Sequence, residues 1–347
     1  MPTLKGKEKV KFLNYINYLR GIAISFIVAV HVFASLDWGE KLTNSQLFLK
    51  ILLDDSTIIF VFISGFLFQH LSQNFDFKSY IIKKYKYVLK PYLIISIPII
   101  ALRILFDKPP TFIVFQKPDF ETWSVFTQIP YYIFTGSHLR PFWFVPMLIL
   151  FYGISPLLIA LDRNKKIYWA LPILIINSFI FTRGNLNEIL VNFIHFLPIY
   201  LLGMFCSRYK EQTFLILKKY IWILLLIGIV SFSISVLQEN NRTIFVQKIS
   251  IIFLLLYFVK EHSSELNIRI KQTLESLALY SFGIYFIHDY FDLMYKFLLQ
   301  SFTNETQFRG SITLFIFLFL LITSFSILTL NVLKKILGSK SREFIGC

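Results

Sequence analysis

The amino-acid sequence predicts an all-α integral membrane protein, a single bundle of about ten transmembrane helices with both termini in the cytoplasm. Composition indicates this class, since 56% of the 347 residues are hydrophobic and only 16% are charged, and the mean hydropathy is +0.63. The apolar residues are also gathered into runs of near-membrane length, more than a soluble core could absorb. We therefore expect the lipid bilayer to be the protein's main environment.

Hydropathy divides the chain into ten predicted spans. The third, fifth and eighth have only about 15 or 16 residues, so they start earlier than hydropathy indicates or sit where the bilayer is thinned. The predicted spans are 16–36, 56–71, 91–106, 143–161, 167–181, 190–207, 220–237, 244–259, 276–298 and 311–333.

Basic residues set the predicted topology. The net charge is +15, and most of the 35 Lys and Arg residues fall in short segments on the predicted inner side, as topology signals do. This distribution argues against a nucleic-acid partner and favours cytoplasmic termini. We expect residues 12–335 to form the transmembrane domain, and residues 1–11 and 336–347 to be basic cytoplasmic tails. Cys206 and Cys347 both fall on the cytoplasmic side, so we expect no structural disulfide.

The longest predicted segment between spans, residues 107–142, lies on the outer side. It mixes polar residues with aromatic ones, a composition typical of segments that lie flat at a membrane interface. Two interpretations are open: the segment roofs a cavity, or it is a connector anchored by its Trp and Tyr residues.

The first predicted span carries two ionisable residues, Arg20 and His31. They are eleven residues apart, which on an α-helix is roughly 20° past three full turns and about 16 Å of rise. Both side chains therefore share one face. Snorkelling explains an arginine near a helix end, but His31 is too deep in the span to reach water. Ionisable groups inside a membrane usually face a protein interior and serve a function, so we expect a polar path partway through the membrane.

Several motifs, in order along the chain, resemble one family. YLRGIAISFIVAVH resembles the Arg-ten residues-His signature on the first helix of the acyltransferase-3 family, which are integral membrane O-acyltransferases. FVFISGFLF is similar to the family's second-helix pattern, and KKYKYVLKPY resembles its basic R-x-x-R segment before the third helix. FWFVPMLILFYGISPLL, FLPIYLLGM and SFGIYFIHDYF are similar to its fourth, sixth and ninth spans. The ordered set covers the chain from about residue 14 to residue 300.

The resemblance implies transfer of an acyl group, usually acetyl, from acyl-CoA to a hydroxyl of a cell-surface or exported saccharide or glycolipid. It also implies a multi-pass protein of the bacterial inner membrane and, as possible partners, proteins of polysaccharide synthesis. In this scheme Arg20 orients the donor, because arginine binds oxyanions without losing its charge. His31 is the general base on the acceptor hydroxyl or, alternatively, is itself acylated.

The basic segment before the third predicted span departs from the family pattern. Lys83 and Lys86 stand where the resemblance places two arginines, and lysine lacks the fork that holds phosphate through two hydrogen bonds. We nevertheless predict that Lys83, Lys84 and Lys86 join Arg20 in binding the phosphates of acyl-CoA. The histidines and acids show no spacing typical of a metal site, so no metal is expected.

Other residues are weaker candidates for substrate binding. His288 and Asp289 are adjacent on one helix and point about 100° apart, so they cannot pair directly. Ser64 next to Gly65 is a possible nucleophile, although small residues in a span more often permit close helix packing. The remaining candidates for contact with donor or acceptor are Trp143, Tyr152, His138, Arg140 and His195.

Three other functions compete with acyl transfer. Within the resemblance, the competitor is a poly-N-acetylglucosamine-type export or modification protein. A glycan or lipid transporter without covalent chemistry is the second, but transporters tend to show inverted repeats and broken helices in matching halves. Here the ionisable pair lies in one unbroken span and no such symmetry is visible. A structural scaffold is the third, and it gives no reason for Arg20 and His31 to share one face.

Overall fold

The computed structural model describes residues 13–106, 120–186, 188–238, 241–305 and 307–347. Within these residues the protein is all-helical, with a single isolated bridge between Asp37 and Arg309 and no strand. The predicted tail 1–11 and residues 107–119 of the predicted outer segment lie outside the described ranges.

The described residues form fifteen α-helices and several short helical segments of other types. The α-helices are α1 (Asn14–Ala34), α2 (Asn44–Leu53), α3 (Thr57–His70), α4 (Phe77–Lys84), α5 (Lys90–Leu105), α6 (Val125–Thr135), α7 (Phe144–Gly153), α8 (Ser155–Arg163), α9 (Leu171–Ile180), α10 (Ile189–Arg208), α11 (Lys210–Gln238), α12 (Asn241–His262), α13 (Ile268–Thr303), α14 (Ile312–Leu337) and α15 (Ser341–Phe344). A π-helical segment, Tyr85–Leu89, joins α4 to α5, and 3₁₀ segments occupy Phe120–Thr122, Arg140–Trp143, Lys166–Trp169 and Gly338–Lys340.

Seven helical stretches in the described residues are long and apolar enough to cross a membrane, or eight if the bent pair α7–α8 is one span. The protein is thus a multi-pass membrane protein. The predicted fifth span corresponds to α9, which has only ten residues, and the predicted ninth to α13, which carries several charged side chains. The count of ten spans and the cytoplasmic termini therefore stay predictions.

Two predicted spans have different bounds in the structure. The third, predicted as 91–106 with an earlier start as one alternative, does start earlier: helical structure is continuous from Phe77 to Leu105 because the π-helical segment bridges α4 and α5. The fourth, 143–161, is bent by 52° between α7 and α8. Pro156 lies in the first turn of α8. It has no N–H to donate to the carbonyl of Tyr152, and in a continuous helix its ring would clash with that carbonyl, so the helix breaks at Ile154.

Glycines allow α3 and α10 to pack with their backbones in contact. A Cβ atom added to Gly65 would overlap the carbonyl oxygen of Tyr200, and one added to Gly203 would overlap that of Phe62. Membrane helices associate through such close van der Waals packing, because lipid provides little hydrophobic drive between them. This contact supports the packing interpretation of the Ser64–Gly65 pair over a nucleophile.

The first helix lies inside the bundle and runs parallel to α13. It packs against α3, α12, α13 and α14. At one end, the Tyr18 hydroxyl donates to Glu275 Oε1 at 3.1 Å, and at the other, the Tyr295 hydroxyl donates to the Ser35 carbonyl at 2.7 Å. We call the interface between these two helices the α1–α13 seam, with an Arg20 end and a His31 end.

Candidate active site

Arg20 faces α13 rather than lipid. Its Nη2 atom donates to the carbonyl oxygen of Ala278 at 3.0 Å and to Ser281 Oγ at 2.9 Å. The serine is fully buried, while the arginine is partly exposed. The guanidinium is therefore held in place from one side and keeps donors available for another group on the exposed side, since arginine has five N–H donors.

His31 lines a small cavity on the same side of α1. The cavity has a volume of about 20 Å³, room for about one water molecule. Its walls come from five elements, α1, α3, the Arg140–Trp143 segment, α7 and α13. The lining residues are Ile27, His31, Thr57, Phe60, Pro141, Trp143, Phe144 and Tyr285. The walls are mainly apolar, with polar atoms contributed by His31, Thr57 and Tyr285.

A second histidine, His288 on α13, faces His31 across the seam. The ring centroids are 5.2 Å apart. His288 Nδ1 lies 2.8 Å from the carbonyl oxygen of Ile284, which only accepts hydrogen bonds, so Nδ1 carries the proton of the neutral ring. His288 Nε2 is buried with no hydrogen-bond partner among the described residues. An unpaired buried acceptor is costly, and a water molecule or a substrate N–H or O–H would satisfy it.

Charged groups of both signs surround the His31 end, and Asp289 Oδ1 and Asp292 Oδ1 are buried with no hydrogen-bond partner among the described residues. Asp289 accepts a hydrogen bond from the backbone N–H of Arg140 at 3.2 Å, and the Arg140 guanidinium donates to the Ala34 carbonyl at 3.4 Å. Asp292 forms a salt bridge with Lys296 at 2.8 Å. Positive and negative groups therefore balance here, next to hydrogen-bonding side chains.

Neighbouring side chains hold Trp143, the aromatic wall of the cavity, in place. Trp143 is buried, and its ring stacks on Phe196 with centroids 6.0 Å apart. The Arg183 guanidinium lies 5.3 Å from the Trp143 ring centroid and forms a salt bridge with Asp55 at 2.7 Å. Cation–π contact and ion pairing together hold the indole in one orientation.

The cavity at His31 does not extend to Arg20. Between these residues, the same face of α1 presents Ile24 and Ile27, both buried, and these side chains pack into the bundle. The expected polar path is therefore interrupted. The physical reason is that two polar residues eleven positions apart leave intervening positions on their face, and here those positions are apolar. Arg20 and His31 share α13 as a neighbour, but not a cavity.

The three lysines predicted to bind the donor have three different environments. Lys84 lies over the rings of Tyr80 and Tyr152, at 5.2 and 4.7 Å from their centroids. Lys86 forms a salt bridge with Glu343 at 2.8 Å, and Lys83 is exposed. Lys83 and Lys84 are consecutive residues of α4 and point about 100° apart, while Lys86 lies in the π-helical segment, where the helical phase changes. The three lysines therefore do not share one face.

The remaining candidates divide between the site and other parts of the bundle. Trp143, His288 and Arg140 lie at the His31 end, whereas Tyr152 contacts Lys84. His195 is buried elsewhere, with Nδ1 at 3.3 Å from the Phe181 carbonyl and its ring beside Phe245.

His138 forms an internal brace in the segment between α6 and α7. Its Nδ1 lies 2.9 Å from the carbonyl oxygen of Tyr132, and its Nε2 lies 2.7 Å from Ser96 Oγ. Burial lowers the pKa of His138 to about 3, so the ring stays neutral at physiological pH. With both ring nitrogens occupied and the side chain fully buried, His138 joins the segment to α5.

Sequence reasoning missed several residues of the site. Ser281, Tyr285 and Asp292 line or support the α1–α13 seam, and Asp55 and Arg183 support Trp143. Of these residues, only Asp292 could have been found from the sequence, because it is an acid inside a predicted span. Within the described residues, no group of three or more His, Cys, Asp or Glu residues lies close enough to hold a metal ion.

Comparison with known proteins identifies the family. The family model for the acyltransferase domain of the acyltransferase-3 type matches residues 13–331, most of the chain, including both helices of the seam. Neither curated proteins nor solved structures gave a match. The match covers the signature on the first helix and the helix that faces it. The chain therefore belongs to the acyltransferase-3 family of membrane acyltransferases.

Proposed function

We propose that this protein transfers an acyl group, acetyl in the simplest case, from cytoplasmic acyl-CoA to a hydroxyl of a cell-surface or exported saccharide. The observation that carries the proposal is the cavity that His31 lines, with the unpaired Nε2 of His288 facing it across the seam. Family membership supports acyl transfer in general, and the two ends of the seam suggest how donor and acceptor are divided between them.

The proposed reaction begins with proton removal by His31. As the acceptor hydroxyl oxygen attacks the thioester carbonyl carbon, a nitrogen of His31 takes the hydroxyl proton. The carbon–sulfur bond then breaks, the acyl group stays on the acceptor oxygen as an ester, and the leaving thiolate takes the proton from the His31 imidazolium. His288 is suited to support this step, because a lone pair on its Nε2 would stabilise a protonated His31.

The donor is proposed to enter at the Arg20 end. Acyl-CoA carries several phosphates, and Arg20 with the lysines of the segment 83–86 provides positive charge for them. The flexible pantetheine arm would then lie along the seam and bring the thioester to His31, about 16 Å from Arg20 along the helix. Ile24 and Ile27, which close the seam, must move aside for this arm.

The acceptor is proposed to bind at the His31 end. A sugar ring has an apolar face and a rim of hydroxyls, and Trp143 provides an aromatic face next to paired charged groups that can exchange hydrogen bonds. The cavity holds about one water molecule, so acceptor binding requires its walls to open. In the proposed orientation this end faces the outside of a bacterial inner membrane, where polysaccharide-synthesis proteins would supply the acceptor.

The decisive experiment is the replacement His31→Ala in protein purified in detergent or nanodiscs. With radiolabelled acetyl-CoA and candidate glycans, we expect free thiol release and glycan labelling to fall by at least about a hundredfold, the usual contribution of a general base. The matched control is His262→Ala, because His262 is exposed at the end of α12, where it pairs with Glu265 and its ring stacks on Phe258.

Other outcomes of the His31→Ala experiment would contradict the proposed mechanism. Retained transfer in His31→Ala would exclude His31 as the base, and glycan movement without thiol release would favour a transporter. Label on the protein itself, lost in His31→Ala, would identify an acylated His31 in place of direct transfer. The expected result is label on glycan only, with the control indistinguishable from the parent.

A further inference from the structure

The fold places Arg342 within electrostatic range of two other cationic side chains at the Arg20 end of the seam. Arg20 comes from α1, Lys84 from α4 and Arg342 from α15. Arg342 interacts electrostatically with both of the others, and in each case the interaction is repulsive. The three residues are far apart in sequence, so only the folded protein brings them together. We call them the cationic cluster.

Within the described residues, no carboxylate forms a salt bridge with Arg20, Lys84 or Arg342. Glu343, the residue after Arg342, is bound to two other lysines, at 2.8 Å from Lys86 and 3.3 Å from Lys90. Arg342 is the charged side chain whose electrostatic repulsion reaches both Arg20 and Lys84. Arg20 and Lys84 are partly buried, whereas Arg342 is exposed. Like charges repel each other, and burial removes hydration from the first two, so a bound anion would stabilise this arrangement.

The segment that carries Arg342 is held against the bundle. After α14 the chain turns back, and α15 packs on α5 and on the π-helical segment. Ser341, Ile345 and Cys347 are buried, and the Arg342 guanidinium lies 4.5 Å from the ring centroid of Tyr87. This cation–π contact restrains the guanidinium, whose planar fork can donate two parallel hydrogen bonds to one phosphate.

We propose that Arg342 completes a binding site, together with Arg20 and Lys84, for the phosphate groups of the acyl-CoA donor. The inference rests on the proposed function, since it assigns the donor's polar part to this end of the seam. Lys84 supplies a point charge between two tyrosines, while Arg20 and Arg342 supply planar forks. Glu343 neutralises Lys86 and Lys90 nearby, so the uncompensated charge is confined to the cationic cluster.

The test compares donors with and without phosphates in the full-length purified protein. Binding of CoA and of pantetheine, which lacks every phosphate, is measured by calorimetry for the parent and for Arg342→Gln. We expect Arg342→Gln to weaken CoA binding about tenfold, roughly the value of one charge-assisted interaction, and to leave pantetheine binding unchanged. Arg342→Lys should recover part of the loss.

Two controls separate this role from a structural one. Lys340→Gln removes the same charge from an exposed position in the same segment, and it should bind CoA like the parent. Phosphatidylglycerol added to the micelles should not displace CoA. If it did, the cationic cluster would be a site for lipid phosphate instead of a site for the donor. Displacement by the lipid would overturn the proposal.

Other outcomes are equally informative. Equal loss of CoA and pantetheine binding in Arg342→Gln, or no loss of either, would overturn the assignment of Arg342 while leaving the proposed acyl transfer intact. A parent protein that binds no CoA and releases no thiol from acetyl-CoA would instead contradict the proposed function. The proposed donor site would then be contradicted as well.

Discussion

The two ends of the α1–α13 seam differ in how their charges are balanced. At the Arg20 end lie three cations, while Glu343 is paired with other lysines and Glu275 accepts a hydrogen bond from Tyr18. At the His31 end, Asp292 is paired with Lys296, and aromatic rings enclose a small cavity. One end carries excess positive charge, and the other is close to neutral with mixed hydrogen-bonding groups.

This difference indicates which substrate each end suits. Excess cationic charge favours a multiply charged anion such as the phosphates of acyl-CoA. A neutral site with an aromatic wall and fixed hydrogen-bonding groups favours a polyhydroxy compound such as a saccharide. The same pair of helices therefore offers separate sites for the two substrates, with the proposed base, His31, at the neutral end. The following predictions test this division.

The largest effect is expected from Arg20→Gln. This replacement removes a guanidinium that the division assigns to the donor, so kcat/KM for acetyl-CoA should fall about a hundredfold, equivalent to one strong charge-assisted contact. KM for the acceptor should stay unchanged. Steady-state kinetics with varied donor and varied acceptor measures both.

The control for Arg20 is Ser281→Ala, which removes a contact between α1 and α13 but leaves the charge in place. It should lower kcat/KM by no more than a few-fold. An equal loss in both variants would mean that Arg20 acts by holding the two helices together. The Arg20 end would then no longer be assigned to the donor.

An intermediate effect is expected from Trp143→Leu. The indole forms part of the His31 cavity, so its loss should raise KM for the acceptor about tenfold, in line with the loss of one aromatic stacking partner. KM for acetyl-CoA should remain that of the parent. The matched control is Trp169→Leu, because Trp169 is 86% exposed. A rise in the donor KM alone would reverse the assignment of the two ends.

The smallest effect distinguishes two neighbouring lysines. Lys84→Gln should raise KM for acetyl-CoA several-fold, because Lys84 belongs to the cationic cluster and contacts Tyr152. Lys86→Gln should have a clearly smaller effect, since Lys86 is neutralised by Glu343 and is 43% exposed. Measuring KM for acetyl-CoA in the two variants at one ionic strength tests this difference. Equal effects would show that the whole basic segment acts as one surface.

The sequence predicted the half of the site that lies on one helix. Helical periodicity placed Arg20 and His31 on one face, and the structure directs both toward α13. Periodicity within a helix follows from local backbone geometry, which the sequence specifies directly. The same reasoning could not say what fills the face between them, and Ile24 and Ile27 close the path that we expected to be polar.

The membrane character of the chain, the order of its motifs and the family follow from the sequence alone, because apolar length and local motifs are properties of the chain itself. Only the tertiary structure decided that His288 faces His31, that Lys84 differs from Lys83 and Lys86, and that Arg342 joins Arg20. These contacts connect residues as many as 322 positions apart. They depend on how helices pack, on a π-helical segment that shifts the phase and on a chain end that folds back, and no local pattern encodes these.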